Sequence, residues 1–162
     1  MSAPSTIAIK TPLGIPLLVS ANDDCIVASR FSHQRTKLSH STSLLAEVRS
    51  QVRAYFAGNL MRFDVPLAFE SGSEIERRIW AAVAEVPFGI FVAYGEIGRA
   101  VGLANGHRQV ARAMGNAPLD LFIPAHRVVA ADGRLRGCDE RSVRARLASF
   151  ERATPCARPR AE

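Results

Sequence analysis

The sequence is short of the residues that announce a chemistry on their own. Cysteine occurs three times in 162 residues, as Cys25, Cys138 and Cys156. No CxxC pair or Cys/His ligand spacing accompanies them, and an odd number makes no disulfide framework, so neither a metal nor a structural disulfide is expected, and no cofactor either. No apolar run approaches the roughly 18 residues of a membrane span, and Met1-Ser2-Ala3-Pro4 brings no charged stretch before an apolar core. The expectation is a cytoplasmic protein with no membrane contact. Lysine is almost absent, since 19 of the 21 basic residues are Arg. What is present is ordinary: 48% hydrophobic and 22% charged residues, in a chain long enough to bury a core, exclude a disordered protein.

Charge is unevenly placed. Of the net +6, most falls between Arg99 and Arg152, where ten Arg stand against five acids. A basic half suits a polyanionic partner, although a preference for Arg can equally follow from genome composition. Charge alone leaves both readings open.

Residues 7–31 alternate β-prone runs with turn signals, Thr11-Pro12-Leu13-Gly14 and Asn22-Asp23-Asp24, which predicts a small antiparallel meander. After a polar stretch, Leu44, Leu45, Val48, Val52, Tyr55 and Phe56 recur at helical spacing up to Gly58. A second unit opens at Ser73, with Glu76 three positions on in a capping-box arrangement, and Ile75, Ile79, Ala82, Val83 and Val86 give its helix one apolar face. Pro87-Phe88-Gly89 ends it. Short helices over 94–101 and 108–116, joined through the turn signal Asn105-Gly106, form a candidate helix-turn-helix. A last helix is expected over about 140–151, followed by a disordered tail over 153–162. The fold class is therefore α+β, with a small β-rich unit and one helix over 1–65 and a mainly helical unit over 66–152.

The specific signal lies at Ile123-Pro124-Ala125-His126-Arg127-Val128-Val129. It resembles the active-site segment Pro-Cys-His-Arg-Val of the O6-alkylguanine-DNA alkyltransferases, the methylated-DNA–protein-cysteine methyltransferase family, with alanine at the reactive cysteine. Upstream, Trp80, Val86-Pro87-Phe88-Gly89 and Tyr94-Gly95-Glu96-Ile97 are similar to that family's Val-Trp, Ile-Pro-Tyr-Gly and Ser-Tyr-Gly-Glu-Ile segments, with Ala93 replacing the Ser. Seventeen positions before 125 stands Arg108, where the family has its Arg finger. Arg108-Gln109-Val110 is similar to the variant in alkyltransferase-like proteins, the non-reactive branch. Arg112 opens a competing Arg-Ala-Met-Gly frame, but that frame requires a four-residue deletion before the Pro-Ala-His-Arg segment.

The resemblance implies a ribonuclease-H-like N-terminal domain and a winged-helix-like DNA-binding domain. It implies double-stranded DNA and alkylated guanine as partners, excision-repair proteins as possible further ones, and a monomer. It also assigns roles. Arg108 fills the stack vacated by a flipped nucleotide, Tyr94 pushes on the phosphate, and Gln109, Arg112, Ala113 and Arg127 complete the DNA contact. Met114, Pro124, Ala125, Val128, Cys138 and Asp139 line the lesion pocket. His126 and Glu151 are the remnants of the relay that generates a thiolate. Read without the family, Met114 is an ordinary core residue and His126 a structural hydrogen-bonding group.

Alkyl transfer needs a soft nucleophile, and the methyl group of Ala125 cannot be one. The expectation is a protein that recognises O6-alkylguanine by nucleotide flipping without repairing it. Two alternatives stand beside it: transfer through Cys138, or only with Cys restored at 125, and a lesion-blind DNA binder. Other departures surround the same pocket. The family's Gly-Tyr-x-Gly-Gly-Leu loop reads Gly137-Cys138-Asp139-Glu140-Arg141-Ser142, and its bracing Asn aligns with Ala117, beside Asn116. A single Cys-to-Ala change would have left these intact.

Overall fold

The computed structural model describes residues 3–155. Three antiparallel strands open the chain: β1 (Ser5–Ile9), β2 (Leu17–Ala21) and β3 (Ile26–Phe31), in the order β1-β2-β3. Ile7 pairs with Val19 and Leu17 with Phe31, so the meander forms as the turn signals predict. The central β2 buries Leu17, Leu18, Val19 and Ala21. Helix α1 (Ser43–Phe56) lies against this sheet, capped by the Thr42 hydroxyl on the Leu45 amide, and turns Leu45, Val48, Val52 and Tyr55 inward. Gly58 follows it with φ +77°, a conformation that suits glycine after a helix end.

The free edge of β3 is closed by returning chain rather than by a fourth strand. The Ile26 amide donates to the Pro66 carbonyl at 2.8 Å and the Ala68 amide to Ile26 at 2.9 Å, while the Ser29 amide donates to Pro118 at 3.1 Å and the Asp120 amide to Ser29 at 3.0 Å. Such cover removes an exposed template for aggregation. It also ties residues 118–120, which precede the Pro-Ala-His-Arg segment, directly to the N-terminal sheet.

Helix α2 (Glu74–Ala84) starts in the capping box read from the sequence: Ser73 Oγ accepts from the Glu76 amide and Glu76 reaches back to the Ser73 amide. The two-residue β4 (Val92–Ala93) leads into α3 (Tyr94–Ala100), and α4 (His107–Gly115) follows a tight turn. A Cβ on Gly98 would stand 3.4 Å from the Gly106 backbone, so glycine lets the α3–α4 corner close tightly. Trp80 joins α2 to α4 by donating from Nε1 to the Ala113 carbonyl at 2.8 Å. A 3-10 turn (Ala125–Arg127) runs into β5 (Val128–Val129), which pairs in parallel with β4.

The apolar run 121–123 forms a turn: Leu121 is buried at φ +74°, and the Ile123 amide returns to the Leu119 carbonyl at 2.9 Å. A non-glycine residue held there costs of order 1–3 kcal/mol, a strain carried at the approach to the Pro-Ala-His-Arg segment. The last helix, α5, spans Val143–Ala153 rather than starting near 140, because the Asp139 carbonyl takes the Ser142 amide and hydroxyl into a turn and Ser142 then caps Ala145. Helix α5 continues through Ala153, where the tail was expected to begin, and Thr154 Oγ1 donates to the Phe150 carbonyl. The rest of that expected tail, 156–162, lies outside the described residues, as does Cys156. Among the described residues no helix is long and apolar enough to cross a membrane.

Candidate functional site

Glu151, in the last turns of α5, has a fully buried side chain, and five donors from three other parts of the chain converge on it. Tyr55 Oη of α1 donates at 2.7 Å and the Gly89 amide at 2.9 Å. Arg127 donates from Nε at 2.8 Å and from Nη2 at 3.0 Å, and His126 Nε2 makes a close contact with Oε2. The remaining Arg127 nitrogen, Nη1, donates to the Val86 carbonyl at 2.7 Å, and the guanidinium lies 5.8 Å from the centre of the Phe88 ring. Gly89 adopts φ +72°, in the region open to glycine, where its amide reaches the carboxylate.

These contacts set the protonation states. Burial alone would raise the Glu151 carboxyl, but hydrogen bonds and charge from His126 and Arg127 outweigh it and hold the group well below the usual carboxylate range. Burial lowers the His126 imidazole against the opposing pull of Glu151, which favours the neutral ring. The Tyr55 phenol is raised far above its ordinary value, first by burial and then by the Glu151 charge, so it stays a donor. With the carboxylate ionised, His126 Nε2 carries the proton and Nδ1 is left as an acceptor.

His126 also lines a cavity of about 210 Å³, together with Phe31, Met114, Ala117, Asp120, Ala125, Arg144 and Leu147. The Ala125 methyl group is thus next to a histidine held neutral and oriented, the arrangement that activates a thiol, with no sulfur to activate. Asn116 does not stand in for the missing bracing residue: its Nδ2 donates to Glu76 at 3.0 Å, and Ala117 lines the cavity. Cys138 is half-buried and outside this lining, and Asp139 turns its carboxylate to the Arg141 amide at 2.9 Å. Pro124 lines a second cavity near Phe63, Pro87 and Phe88, and Val128 is wholly buried in β5. Of the six residues expected at the pocket, Met114 and Ala125 meet at the first cavity.

Helix α4 presents Arg108, Gln109 and Arg112 to solvent and buries Val110, Ala113 and Met114. Two expected DNA contacts are corrected here. Arg127 has a side chain only 7% exposed, and each of its three nitrogens already donates to Glu151 or the Val86 carbonyl, so it is turned away from a phosphate in solvent. Ala113 is wholly buried under Trp80. Tyr94 is largely buried at the first position of α3, where Glu96 accepts from the Ala93 amide at 3.1 Å and Ala93 supplies no side-chain cap. The sequence reading missed Tyr55, Gly89 and the Val86 carbonyl as parts of the network, and Asp120 and Arg144 as cavity residues. Tyr55 carried a signal only as a core position of α1. Among the described residues no three His, Cys, Asp or Glu side chains are grouped to hold a metal ion.

The chain matches the ribonuclease-like domain of 6-O-methylguanine DNA methyltransferase over residues 6–69 and the DNA binding domain of the same family over 74–153. A methylated-DNA–protein-cysteine methyltransferase of Mycolicibacterium paratuberculosis is 34% identical over 80% of this chain and 80% of its own. One from Methanosarcina acetivorans is 33% identical over 79% of this chain and 85% of its own. Among solved structures, the O6-methylguanine methyltransferase of Mycobacterium tuberculosis superposes with a TM-score of 0.83 at 28% identity, over 96% of this chain and 97% of that one. Mycobacterium tuberculosis OGT in complex with DNA superposes at 0.79 with 30% identity, over 93% and 94% of the two chains.

Proposed function

The chain belongs to the 6-O-methylguanine DNA methyltransferase family, which binds DNA and repairs alkylated guanine, and we propose that within it this protein binds O6-alkylguanine in duplex DNA without taking the alkyl group. The observation that carries this reading is Ala125 on the cavity wall beside His126. Transfer requires a nucleophile at the position that the O6 substituent faces, and no orientation of His126 makes a methyl group nucleophilic. Recognition requires no sulfur. It needs a groove-facing helix, a side chain to occupy the stack and a cavity for the extruded base, at a flipping cost of a few kcal/mol that a weakly paired lesion reduces. Exposed Arg108 near the start of α4 suits the stack, because a planar cation can stack and still satisfy its donors. Gln109 and Arg112 beside it suit phosphate and sugar contact, and α3 with α4 would act as the helix-turn-helix.

Competition between O6-methylguanine duplex and unmodified duplex at matched salt, followed by intact-mass analysis of the protein, tests the proposal. The expected result is tighter binding of the lesion with no change in protein mass. A methyl gained on Cys138 would replace the proposal with transfer through another thiol. Equal affinities falling steeply with salt would mark binding through phosphates alone.

A further inference from the structure

The cavity beside Ala125 is not a plain apolar hollow. Phe31, Met114, Leu121, Ile123, Val143 and Leu147 give it apolar walls, and Asp120 and Arg144 bring opposite charges to the same lining. The strained turn around Leu121 supplies Asp120, and the second residue of α5 supplies Arg144. The Asp120 carboxylate accepts from the Phe31 amide through Oδ2 at 3.1 Å. Among the described residues Oδ1 has no hydrogen bond and Arg144 has no hydrogen bond or ion pair. The two charges feel each other without meeting, since Arg144 acts on Asp120 and on His126 through space while no salt bridge joins it to either.

This is an acceptor and a donor held apart across a cavity that the O6 substituent would enter past Ala125. Resting on the lesion-binding reading, we infer that the cavity selects O6 substituents ending in a neutral hydroxyl, of the 2-hydroxyethyl type, which donates to Asp120 and accepts from Arg144. A carboxylate tail would meet Asp120 and an ammonium tail would meet Arg144, each with a like charge nearby. A purely alkyl tail would desolvate both groups and satisfy neither, the larger part of the discrimination when a buried polar site is left unpaired.

The test is competition for the full chain among duplexes carrying O6-(2-hydroxyethyl)guanine, O6-propylguanine of equal length, O6-carboxymethylguanine and unmodified guanine. The hydroxyethyl adduct is expected to bind about tenfold tighter than the propyl one, as befits one charge-assisted hydrogen bond gained. In Arg144→Met, whose parent side chain makes no bond in the fold, the two should fall within about twofold of each other. Asp120→Asn, which keeps an acceptor for Phe31, should narrow the gap less. Hydroxyethyl and propyl adducts binding equally, both above guanine, would overturn this inference and leave lesion binding standing. A carboxymethyl adduct binding tightest would overturn it as well, in favour of an anion site on Arg144. No preference of any adduct over guanine would remove both readings together.

Discussion

The buried network around Glu151 and the loop of residues 137–142 differ in how completely they are bound. Inside, Glu151, His126, Arg127 and Tyr55 join α1, the Gly89 turn, the 3-10 turn and α5, and among the described residues no buried side-chain polar atom lacks a partner. Residues 137–142, by contrast, are half-buried or exposed and are held by their own Asp139 turn. The sequence of that loop departs from the family pattern, while His126 and Glu151 remain in contact inside. A buried carboxylate that satisfies a buried guanidinium cannot be deleted without stranding a charge, so this network has a structural task that outlasts the reaction. The Ala125 side chain takes no part in that network, so the identity of residue 125 leaves its bonds in place.

The largest effect expected from this contrast is chemical. In Ala125→Cys the new thiol would lie beside a neutral His126 whose Nδ1 is free to take its proton, so the variant should gain one methyl from O6-methylguanine duplex, read by intact mass, where the parent gains none. Binding of the lesion without any mass gain in that variant would place the remaining defect in the 137–142 loop.

Next in size is the network itself. Glu151→Gln should destabilise the fold by about 3–5 kcal/mol in urea titration, because it removes the charge that compensates Arg127. The pH dependence follows from the same groups. His126 is lowered from 6.5 and Glu151 from 4.5, so in each case the unfolded chain binds the proton first. Stability from both is whole above those values and is lost on acidification, through His126 below pH 6.5 and through Glu151 below pH 4.5. The Gln variant should lose the second limb. An unchanged acid profile in Glu151→Gln would mean that the carboxylate is not the group that the fold depends on.

Of the residues proposed to face DNA, Arg108 has the sharpest test: Arg108→Ala should reduce the preference for lesion over plain duplex about tenfold, the loss expected of one stacking side chain, and leave the urea midpoint unchanged because Arg108 is exposed. Persistence of the preference would move the role to Arg112.

What was legible in the sequence was local. The Ser73–Glu76 cap, the meander and α4 to within a residue at each end are set by neighbours in the chain, and the structure has them. Contacts across the chain were not legible. Tyr55 reads as one more apolar step of α1, and nothing near it points to a carboxylate 96 residues away. Arg127 is a DNA contact only by the family resemblance, and only the fold reveals that each of its nitrogens donates to Glu151 or the Val86 carbonyl. Ala113 reads as a small residue on a groove-facing helix, but the face that it shares belongs to Trp80. The strand β4 is two residues long, too short for any period to mark.

The smallest expected effect sharpens the contrast from the other side. Arg62 and Glu85 form an ion pair at 3.5 Å, as Arg127 and Glu151 do at 2.8 Å, but their side chains are 83% and 71% exposed. Water solvates both partners once the pair is broken, so no charge is stranded, and pairs of this kind contribute at most about 1 kcal/mol. Arg62→Ala should therefore shift the urea midpoint barely at all, and what shift there is should vanish in high salt, where screening removes the attraction. The buried pair should keep its effect in the same salt, because no counterion reaches it. If Arg62→Ala and Glu151→Gln proved equally costly, or equally sensitive to salt, burial would not be what separates the network from the rest of the surface, and the reason given for its survival would fail with it.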